Sequence, residues 1–385
     1  MRIVDVCAFY APEGGGVKTY VEQKLAAGPA LGHEIVIIAP GERDETEPRG
    51  DGARIEWLAA PRFPLDRKYR YFEDGASIHR ALDRARPDFV EASSPWRSAH
   101  AAGEWRGAAP RALIMHADPI AAFGYRWLGG LASVEAIDRG LEPGWRYLRR
   151  TAAAFDLVVS ASASLSGRLN AQSINNVLTC PMGIEDKVFS PALRDEALRA
   201  RMLERCALGP EAVLLLGVGR LAPEKRWPLV IEAAVAAGLD RPIGLVLVGD
   251  GRDRARIVRE IDGNPHIHLA APIADRRALA RLMASADALV HGCDAETFSM
   301  VAAEARASGL PLIAPDRGGA ADHARASGGF TYAAGSTADA ARAIAAFAAG
   351  PRLRPVPAPV RTMERHFRDL FDRYEGLVLT RSRVA

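Results

Sequence analysis

One parallel-sheet unit is encoded near the start of the chain, in IVDVCAFYAPEGGGVKTYVEQKLAAGPALGHEIVIIAP, residues 3–40. The apolar run Ile3–Phe9 predicts a buried strand, and three glycines follow it. Val17–Leu31 carries apolar residues at helical spacing and stops before Gly32, so it predicts a helix. A second apolar strand, Glu34–Pro40, comes next. Strand, glycine turn, helix and strand in this order predict a parallel sheet covered by helices.

The same alternation continues in both halves of the chain. The first half predicts further strands at 53–60, 88–92, 112–116 and 157–160, with a helix at 77–86. After the turn-rich segment 180–191, the second half predicts strands at 212–219, 244–251, 266–271, 288–292 and 311–315. Two parallel-sheet domains, 1–185 and 186–362, are therefore predicted. A Pro-rich connector at 351–360 leads to a final helix within 363–385, which we expect to pack back on the first domain.

Composition describes a soluble globular protein and excludes several classes. The 385 residues are 49% hydrophobic and 25% charged, and this length exceeds one ordinary hydrophobic core. A net charge of +3 implies no general affinity for nucleic acid. No apolar run approaches the roughly 18 residues that span a bilayer, and the N-terminus lacks the pattern of a signal peptide. We expect a cytoplasmic protein.

The cysteines and histidines show no pattern of a disulfide framework or a metal site. The four cysteines, at 7, 180, 206 and 293, are widely separated and form no C-x-x-C motif, which fits a reducing compartment. His266 and His268 alternate on one predicted strand, but no third ligand is near them in sequence. No metal ion is predicted.

Glycines 14–16 lie between the first strand and the first helix. In open parallel sheets, ligands bind at the carboxyl ends of the strands. Glycine lets the backbone approach a ligand closely, and a helix N-terminus favours negative charge. A ligand contact and a plain flexible turn both fit this pattern. His116 ends the predicted strand 112–116 at the same edge, where a ligand contact and an ordinary loop histidine again both fit.

A formal match to the dinucleotide fingerprint GxGxxA occurs in GVGRLAPEKRW, Gly217–Trp227, but without its context. That fingerprint runs directly into a helix, whereas Pro223 and Pro228 flank the expected first turn here. The segment instead predicts a strand and a loop that carries Arg220 and Lys225. An arginine fork and a lysine point charge suit a diphosphate, and two solvated surface charges are the ordinary alternative.

An apolar helix is predicted in ETFSMVAAEA, residues 296–305, with Thr297 as its N-cap, a start near Phe298 and an end at Gly309. The first N–H groups of a helix lack intrahelical partners, and the helix dipole favours a ligand oxygen there. The groups expected to be available are the N–H groups of Phe298, Ser299 and Met300.

Glu296 and Glu304 flank this apolar run. A rise of about 1.5 Å per residue places them about 12 Å apart along the helix. Two carboxylates that act on one glycosidic bond lie about 5–10 Å apart, so a two-carboxylate glycosidase is disfavoured. The separation suits two contacts on one elongated ligand. Glu296 precedes the first turn and can accept hydrogen bonds from sugar hydroxyls.

In their order along the chain, these motifs resemble those of a retaining glycosyltransferase of family 4 with the GT-B fold. The family's glycine loop, first helix and next strand are matched by GGGVKTYVEQKLAAGPALGHEIVIIAP, and its passage into the second domain by CPMGIEDKVFSP. Its phosphate-binding strand and loop are matched by GVGRLAPEKR, its next strand end by VGDG, and its E-x7-E motif by ETFSMVAAEARASGLPLIAPDRGG. The resemblance covers nearly the whole chain and implies two Rossmann-like domains that face across a cleft.

The resemblance also implies a role for each site residue. The donor would be a nucleotide-diphosphate sugar, UDP- or GDP-linked, and the hexose would move with retention to a hydroxyl acceptor. Arg220 and Lys225 would hold the diphosphate, Glu304 the ribose, and Glu296 with the N–H groups after it the donor sugar. Gly15 and Gly16 would approach the donor from the first domain, and His116 matches an active-site histidine beside the donor sugar. Ile273 is the predicted contact of the base.

The resemblance implies no cofactor and no metal, because the helix dipole and the two cations neutralise the leaving diphosphate. This sequence departs from the family at the rim of the sugar pocket. The usual glycine after the first glutamate is Thr297, and Ser299 stands two positions further on. The segment GGAADH, 318–323, lacks the acidic residue that commonly follows its turn.

Two segments of the first domain, Ala60–Phe72 and Arg139–Arg150, mix basic residues with aromatic rings. Such a mixture suits an anionic membrane surface or a lipid-linked acceptor, and a charged face with inward rings fits as well. The predicted contacts are Arg67, Lys68, Arg70, Arg146 and Arg149. The acceptor would then be a lipid-linked or cell-envelope glycan or glycolipid, met at the inner face of the cell membrane.

Three other functions fit the same fold. A sugar-nucleotide epimerase needs acids or bases around C2 of the sugar, and a GT-B phosphorylase needs a lysine for pyridoxal phosphate. The diphosphate is the better explanation of Lys225. A non-catalytic sugar-nucleotide-binding subunit is the other alternative, and the presence of Arg220, Lys225, Glu296 and His116 together favours an active enzyme.

Overall fold

A computed structural model of the chain describes residues 1–11, 16–64, 67, 69–125, 134–351 and 360–383. The chain divides into two compact units. Unit 1 contains Met1–Ile120, Glu135–Met182 and Met363–Ala385, and unit 2 contains Ala121–Val134 and Gly183–Thr362. The predicted Pro-rich connector, residues 351–360, lies almost wholly outside the described residues.

Unit 1 is organised around one sheet of eight strands. The strands are β1 Arg2–Cys7, β2 Glu34–Gly41, β3 Glu45–Pro48, β4 Ala53–Ala59, β5 Phe89–Ser93, β6 Arg111–Ile114, β7 Leu157–Ser160 and β8 Val177–Thr179. Their order is β3-β4-β2-β1-β5-β6-β7-β8, and each neighbouring pair is parallel except β3 with β4. The chain order reverses at β1, which lies between β2 and β5.

Unit 2 has a six-stranded sheet. The strands are β9 Val213–Val218, β10 Ile243–Val248, β11 Ile267–Ala270, β12 Ala288–Val290, β13 Leu312–Pro315 and β14 Phe330–Tyr332. Their order is β11-β10-β9-β12-β13-β14, and all pairs are parallel. The chain order reverses at β9, which lies between β10 and β12. In sheets of this kind, ligands bind outside the carboxyl ends of the strands at such a reversal.

Helices connect the strands in both units. They are α1 Gly16–Ala30, α2 Gly75–Ala85, α3 Arg97–Glu104, α4 Val134–Gly140, α5 Glu142–Ala152, α6 Ala163–Ala171, α7 Glu196–Arg205, α8 Trp227–Ala237, α9 Arg254–Ile261, α10 Arg276–Ser285, α11 Met300–Ala307, α12 Gly319–Ala326, α13 Thr337–Ala349 and α14 Met363–Ser382. Short turns of 3₁₀ helix cover Pro191–Leu193 and Pro223–Lys225, and a π-helix covers Ile120–Tyr125. Each strand predicted from the sequence is present, with ends shifted by at most three residues. The short strands β3, β8 and β14 were not predicted.

The predicted fold class, two α/β units with parallel sheets, is confirmed. Central strands such as β2 and β5 are buried on both faces, which is why they read as continuous apolar runs. The last helix, α14, packs on unit 1 and inserts Phe367, Phe371 and Tyr374 into its core. The ring of Tyr374 stacks on Phe89 of β5 with centroids 3.9 Å apart. Burial of each such ring contributes about 1.5–3 kcal/mol.

A buried charge cluster lies inside unit 1 and was not predicted. The ammonium of Lys24 on α1 donates to Asp5 Oδ2 on β1 at 2.7 Å and to Glu91 on β5. The side chains of all three residues are fully buried. The hydroxyl of Tyr374 donates to Glu91 Oε1 at 2.6 Å, and Ser93 donates to Asp5 at 2.9 Å. Burial opposes the charge on Lys24, but the two carboxylates outweigh it and raise the pKa of the ammonium.

We expect Lys24→Met to destabilise the protein by about 3–5 kcal/mol, because it leaves two buried carboxylates without their cation. Tyr374→Phe is the matched control, since it removes one hydrogen bond from the same cluster and costs about 1 kcal/mol. The free energy of unfolding at neutral pH, measured in urea, checks both values. A Lys24→Met variant no less stable than Tyr374→Phe would contradict a structural role for the ammonium.

Candidate active site

The candidate site of unit 2 lies where its chain order reverses. The loop 219–226 follows β9, and the loop 291–299 follows the neighbouring strand β12. These strands pair in parallel with Leu216 opposite Leu289, so both loops leave the same edge of the sheet side by side. The predicted cations and the first predicted carboxylate therefore come together although about 70 residues separate them in sequence.

An ion pair joins the two loops. Lys225, at the end of the 3₁₀ turn Pro223–Lys225, donates to Glu296 Oε1. The side chains are 14% and 22% exposed, so the pair is mostly buried but open to a ligand. His291, which directly follows β12, places Nε2 at 3.6 Å from the same carboxylate oxygen. The rule that pointed to His116, a histidine at the carboxyl end of a strand, would also have found His291.

The charges of this group are fixed near neutral pH. Burial opposes ionisation of Glu296, but Lys225 and His291 outweigh it and lower the pKa of the carboxyl to about 2. Burial lowers the pKa of His291 to about 4, and the ammonium of Lys225 adds to the shift. Glu296 is therefore a carboxylate that only accepts hydrogen bonds, and His291 is a neutral ring.

The helix after Glu296 begins later than predicted. Thr297 was predicted as the N-cap and Phe298 as the start, but Ser299 is the cap and α11 begins at Met300. The prediction was wrong because the backbone of Ser299 is left-handed, with φ 67° and ψ 79°, which a propensity rule does not anticipate. The N–H groups of the first helical turn are consequently those of Met300 and Val301, while Phe298 and Ser299 precede the helix.

Close packing against α12 shapes this turn. The N–H of Gly319 donates to the carbonyl of Glu296 at 2.7 Å. A Cβ at Gly319 would lie 2.5 Å from the carbonyl carbon and oxygen of Phe298, so no other residue fits there. The glycine turn after the E-x7-E motif therefore lets the segment 296–299 lie directly on the start of α12.

The second carboxylate, Glu304, is 5% exposed and paired. Its Oε1 accepts from Nη2 of Arg276 at 2.5 Å. The same guanidinium donates to Glu185 at 3.4 Å and lies 4.9 Å from the ring centre of Phe189. Burial raises the pKa of Glu304 in spite of the arginine. Sequence analysis missed Arg276, because no local pattern connects the first residue of α10 with a glutamate 28 positions later.

Arg220 and Ile273 line one cavity of about 210 Å³ at the carboxyl ends of β9 and β10. Arg220 is 72% exposed and donates to Glu224 at 3.0 Å. Gly249 also lines this cavity, and only glycine fits there, because a Cβ would lie 1.9 Å from the carbonyl oxygen of Gly219. Both predicted contacts are therefore available to a ligand beside the Lys225–Glu296 pair.

In unit 1, the predicted residues are partly described. Gly15 lies outside the described residues, and Gly16 is the exposed first residue of α1. His116 follows β6, with its ring centre 4.6 Å from that of Tyr20. The hydroxyl of Tyr20 lies 3.1 Å from Nε2 of His366 on α14. Burial lowers the pKa of His116 to about 4, and the charge of Lys24 adds to the shift, so the ring is neutral near pH 7.

The predicted basic patch is unevenly exposed. Arg67 and Arg146 are exposed, whereas Lys68 lies outside the described residues. Arg70 donates to the carbonyl of Ala60 at 2.6 Å, and Arg149 donates to Glu142. Tyr147, next to Arg146 on α5, is 38% exposed. The exposed part of the patch is thus smaller than the sequence suggested.

Known proteins are similar to this chain over most of its length. The family described as glycosyl transferases group 1 matches residues 205–357, and a glycosyl transferase 4-like domain matches residues 15–183. A GDP-mannose-dependent alpha-(1-6)-phosphatidylinositol dimannoside mannosyltransferase of Mycobacterium tuberculosis is 32% identical over 317 residues, which are 81% of this chain and 79% of that protein. The chain belongs to the group 1 glycosyltransferases. The resemblance to family 4 is therefore confirmed.

A GDP-mannose-dependent alpha-mannosyltransferase of Mycolicibacterium smegmatis is also similar to this glycosyltransferase, with 31% identity over 84% of this chain and 81% of that protein. Among solved structures, sucrose-phosphate synthase from Thermosynechococcus elongatus matches with a TM-score of 0.70 and 19% identity, over 100% of this chain and 98% of that chain. A glycosyltransferase from Rickettsia africae matches with a TM-score of 0.67 and 16% identity, over 98% of each chain. These structural likenesses show the GT-B fold.

One group of side chains in the glycosyltransferase could in principle reach a metal ion. Ligand atoms of His291, Cys293 and Glu296 lie within 4.8 Å of one another. The ammonium of Lys225 already bonds Glu296, and a second cation beside it would be repelled. The group therefore suits a neutral ligand better than an ion, and the absence of a metal stays a prediction.

We expect the stability of the glycosyltransferase to fall as the pH falls from about 6.5 to about 4. Burial lowers the pKa of His323 to about 4, and Arg306, whose Nη1 lies 3.0 Å from its Nδ1, adds to the shift. Between these pH values His323 is protonated in the unfolded chain but stays neutral in the folded protein. The contribution of His323 to the free energy of unfolding is therefore complete above pH 6.5 and is lost as the pH falls.

The variant His323→Gln removes this titration and keeps an acceptor for Arg306. The loss of unfolding free energy between pH 7.5 and pH 5.0, measured in urea, should be smaller in the variant by on the order of 1–2 kcal/mol. His116 and His291 still contribute to the fall in both proteins. An equal fall in the variant and the wild type would show that His323 titrates alike in both states.

Proposed function

We propose that this glycosyltransferase moves mannose from GDP-mannose, with retention of configuration, to a hydroxyl of a lipid-linked acceptor. The observation that carries the proposal is the Lys225–Glu296 pair, a cation and a sugar-binding carboxylate held together at the start of α11. The names of both relatives support the choice of donor, and the name of the Mycobacterium tuberculosis relative supports a glycolipid acceptor.

The donor would lie along the carboxyl edge of the unit 2 sheet. Glu296 would accept hydrogen bonds from hydroxyls of the mannose, and the N–H groups at the start of α11 would face its polar side. Lys225 and Arg220 would bind the diphosphate, whose negative charge grows as the glycosidic bond breaks. The base would enter the cavity lined by Ile273 and Arg220.

The ribose would meet Glu304, as the family resemblance implies. Because Glu304 pairs with Arg276, a ribose hydroxyl would either displace the guanidinium or share the carboxylate with it. The second oxygen of the carboxylate leaves room for sharing, since an ionised glutamate offers about four acceptor sites. Arg276 would then hold Glu304 in place while the ribose binds.

Retention requires no protein nucleophile in this proposal. The leaving phosphate would take the proton from the acceptor hydroxyl, which attacks the face that the diphosphate leaves. His116 is neutral near pH 7, so it would serve as a hydrogen-bonding partner of the donor sugar and not as a strong acid. Neither a metal nor a cofactor is proposed, because Lys225, Arg220 and the helix dipole supply positive charge at the diphosphate.

The donor site can be tested with Lys225→Ala and the matched control Lys187→Ala. Lys187 is 89% exposed and lies 3.5 Å from the carboxylate of its neighbour Asp186, so its removal should change little. We expect Lys225→Ala to lower the rate of GDP release by about 100-fold or more, because it removes charge stabilisation of the leaving group. Turnover is measured with GDP-mannose, UDP-glucose and ADP-glucose in the presence of a chelator.

The same panel tests the donor in the wild type, by the rise in melting temperature on binding. Loss of the cation also leaves Glu296 partly buried and unpaired, which can destabilise the fold. The melting temperature of Lys225→Ala is therefore compared with that of Lys225→Met/Glu296→Gln, which lacks both charges, to separate loss of fold from loss of function. Full activity of Lys225→Ala would remove its proposed role. A wild type that binds none of the three donors would overturn the proposed function.

We also propose that unit 1 meets an anionic membrane surface through Arg67, Arg146 and Tyr147. Among the described residues, no helix has the length and apolar character needed to cross a bilayer. The contact proposed is peripheral and is made by these exposed side chains. Exposed arginines attract anionic headgroups, and a half-exposed tyrosine suits the interface between headgroups and water. Such a contact would place the protein at the inner face of the cell membrane, beside its acceptor.

Sedimentation with vesicles that contain anionic phosphatidylinositol tests this surface. We expect Arg67→Ala/Arg146→Ala to bind less than the wild type at low salt, because each arginine near the surface contributes about 1 kcal/mol. Arg252→Ala/Arg259→Ala is the matched control, since it removes the same charge from exposed positions of unit 2. Equal sedimentation of the two double variants would show a general effect of charge, and no sedimentation of the wild type would end the idea.

A further inference from the structure

Two buried polar atoms in the segment 291–299, which contains Glu296, have no hydrogen-bond partner within the described part of the chain. They are Nε2 of His291 and Oγ of Ser299. His291 is 1% exposed and Ser299 is 3% exposed. A buried polar atom without a partner destabilises the folded state, and native proteins contain few of them. Two such atoms in one loop, on either side of a sugar-binding carboxylate in sequence, call for a ligand that pairs with them.

Two hydrogen bonds hold the backbone of His291 in place. The N–H of His291 donates to the carbonyl of Ile313 at 2.9 Å, and its carbonyl accepts from the hydroxyl of Tyr332 at 2.6 Å. From this backbone position the ring places Nε2 at 3.6 Å from Oε1 of Glu296. This distance is too long for a good hydrogen bond. A hydroxyl can bridge such a pair, since it donates to one atom and accepts from the other.

Ser299 shows a second sign of function. Its backbone lies in the left-handed region, with φ 67°, which glycine adopts without steric cost and other residues adopt with strain. Glycine at this position would relieve the strain and remove the orphaned hydroxyl as well. The serine side chain thus lowers the stability of the fold both by backbone strain and by its unpaired hydroxyl. Such a cost indicates that the hydroxyl contributes to ligand binding. Ser299 is also the residue from which the first turn of α11 leaves.

We propose that Nε2 of His291 and Oγ of Ser299 bind hydroxyl groups of the donor sugar and thereby determine which sugar the enzyme accepts. The inference rests on the proposed function and adds the side chains that read the sugar. An epimer that places a hydroxyl elsewhere would leave one of these buried atoms unpaired. Sites that are built to bind a hydroxyl reject ligands that lack it far more strongly than apolar pockets reject a change of size.

A cation is a poorer occupant of this place than a sugar hydroxyl. His291 and Glu296, together with Cys293, offer donor atoms within 4.8 Å. The ammonium of Lys225 already neutralises Glu296, so an added metal ion would meet a positive charge at contact distance. A neutral hydroxyl meets no such repulsion, and it can use both the nitrogen and the carboxylate.

The test compares the binding of GDP-mannose with that of GDP in matched variants. His291→Leu removes the ring nitrogen, and His291→Gln keeps a polar group of similar reach. We expect His291→Leu to weaken GDP-mannose by roughly 10-fold with GDP unchanged, since one hydrogen bond is lost only with the sugar. His291→Gln should recover part of the loss.

Ser299→Ala and Ser299→Gly separate the hydroxyl from the backbone strain. Both variants should weaken GDP-mannose alike and leave GDP unchanged, because both lack the hydroxyl. Only Ser299→Gly should raise the melting temperature strongly, since it alone relieves the left-handed strain. These two variants also keep the inference testable if His291→Leu fails to fold.

The outcomes divide the two proposals. A wild type that binds no nucleotide sugar overturns the proposed function, whatever the variants do. A wild type that binds GDP-mannose more tightly than GDP, with variants that bind it equally well, overturns this inference alone. Variants that lose GDP and GDP-mannose in equal measure show a structural role and overturn it too. Deoxymannose donors give an independent check, because the wild type should lose affinity for one of them and His291→Leu should not discriminate against it.

Discussion

The ion pair of Lys225 and Glu296 is the interaction on which the site of unit 2 depends. It joins the loop after β9 to the loop after β12, at the two strands between which the sheet reverses its order. A mostly buried charge is stable only with its partner, so each residue fixes the other in the folded state. The pair also keeps the carboxylate ionised, because the ammonium holds the pKa of Glu296 near 2 in spite of burial. The position and the charge of the Glu296 carboxylate thus have one cause.

The start of α11 follows from the same constraint. Glu296 is held by Lys225 on one side, and its carbonyl accepts from Gly319 on the other, so the chain has only Thr297, Phe298 and Ser299 in which to turn into the helix. The left-handed conformation of Ser299 accomplishes that turn. Strain at this point is the consequence of fixing a carboxylate and a helix N-terminus so close together.

Much of the fold could be predicted from sequence, because apolar runs and glycine turns are local signals. The sequence also predicted site residues by local rules: His116 by its place at the end of a parallel strand, Arg220 and Lys225 by their loop, and Glu296 by its place before a helix. Local rules could not predict contacts between distant residues, since Arg276 reaches Glu304, and Lys24 reaches Asp5 and Glu91, only through tertiary packing. The start of α11 at Met300 was not predicted for a related reason. Local propensity favours a cap at Thr297, and contacts with a distant glycine decide otherwise.

Exposure distinguishes the two buried ion clusters of this glycosyltransferase. Lys24, Asp5 and Glu91 are fully buried, and every partner that Glu91 needs, including Tyr374, comes from the protein. Lys225 and Glu296 have the same chemistry but remain 14% and 22% exposed, and His291 beside them has a buried nitrogen that no described residue satisfies. A cluster that satisfies itself can only stabilise the fold. A cluster with unsatisfied atoms and an open side has room for a ligand that completes it, and this difference is why the donor sugar is proposed to bind at the edge of unit 2.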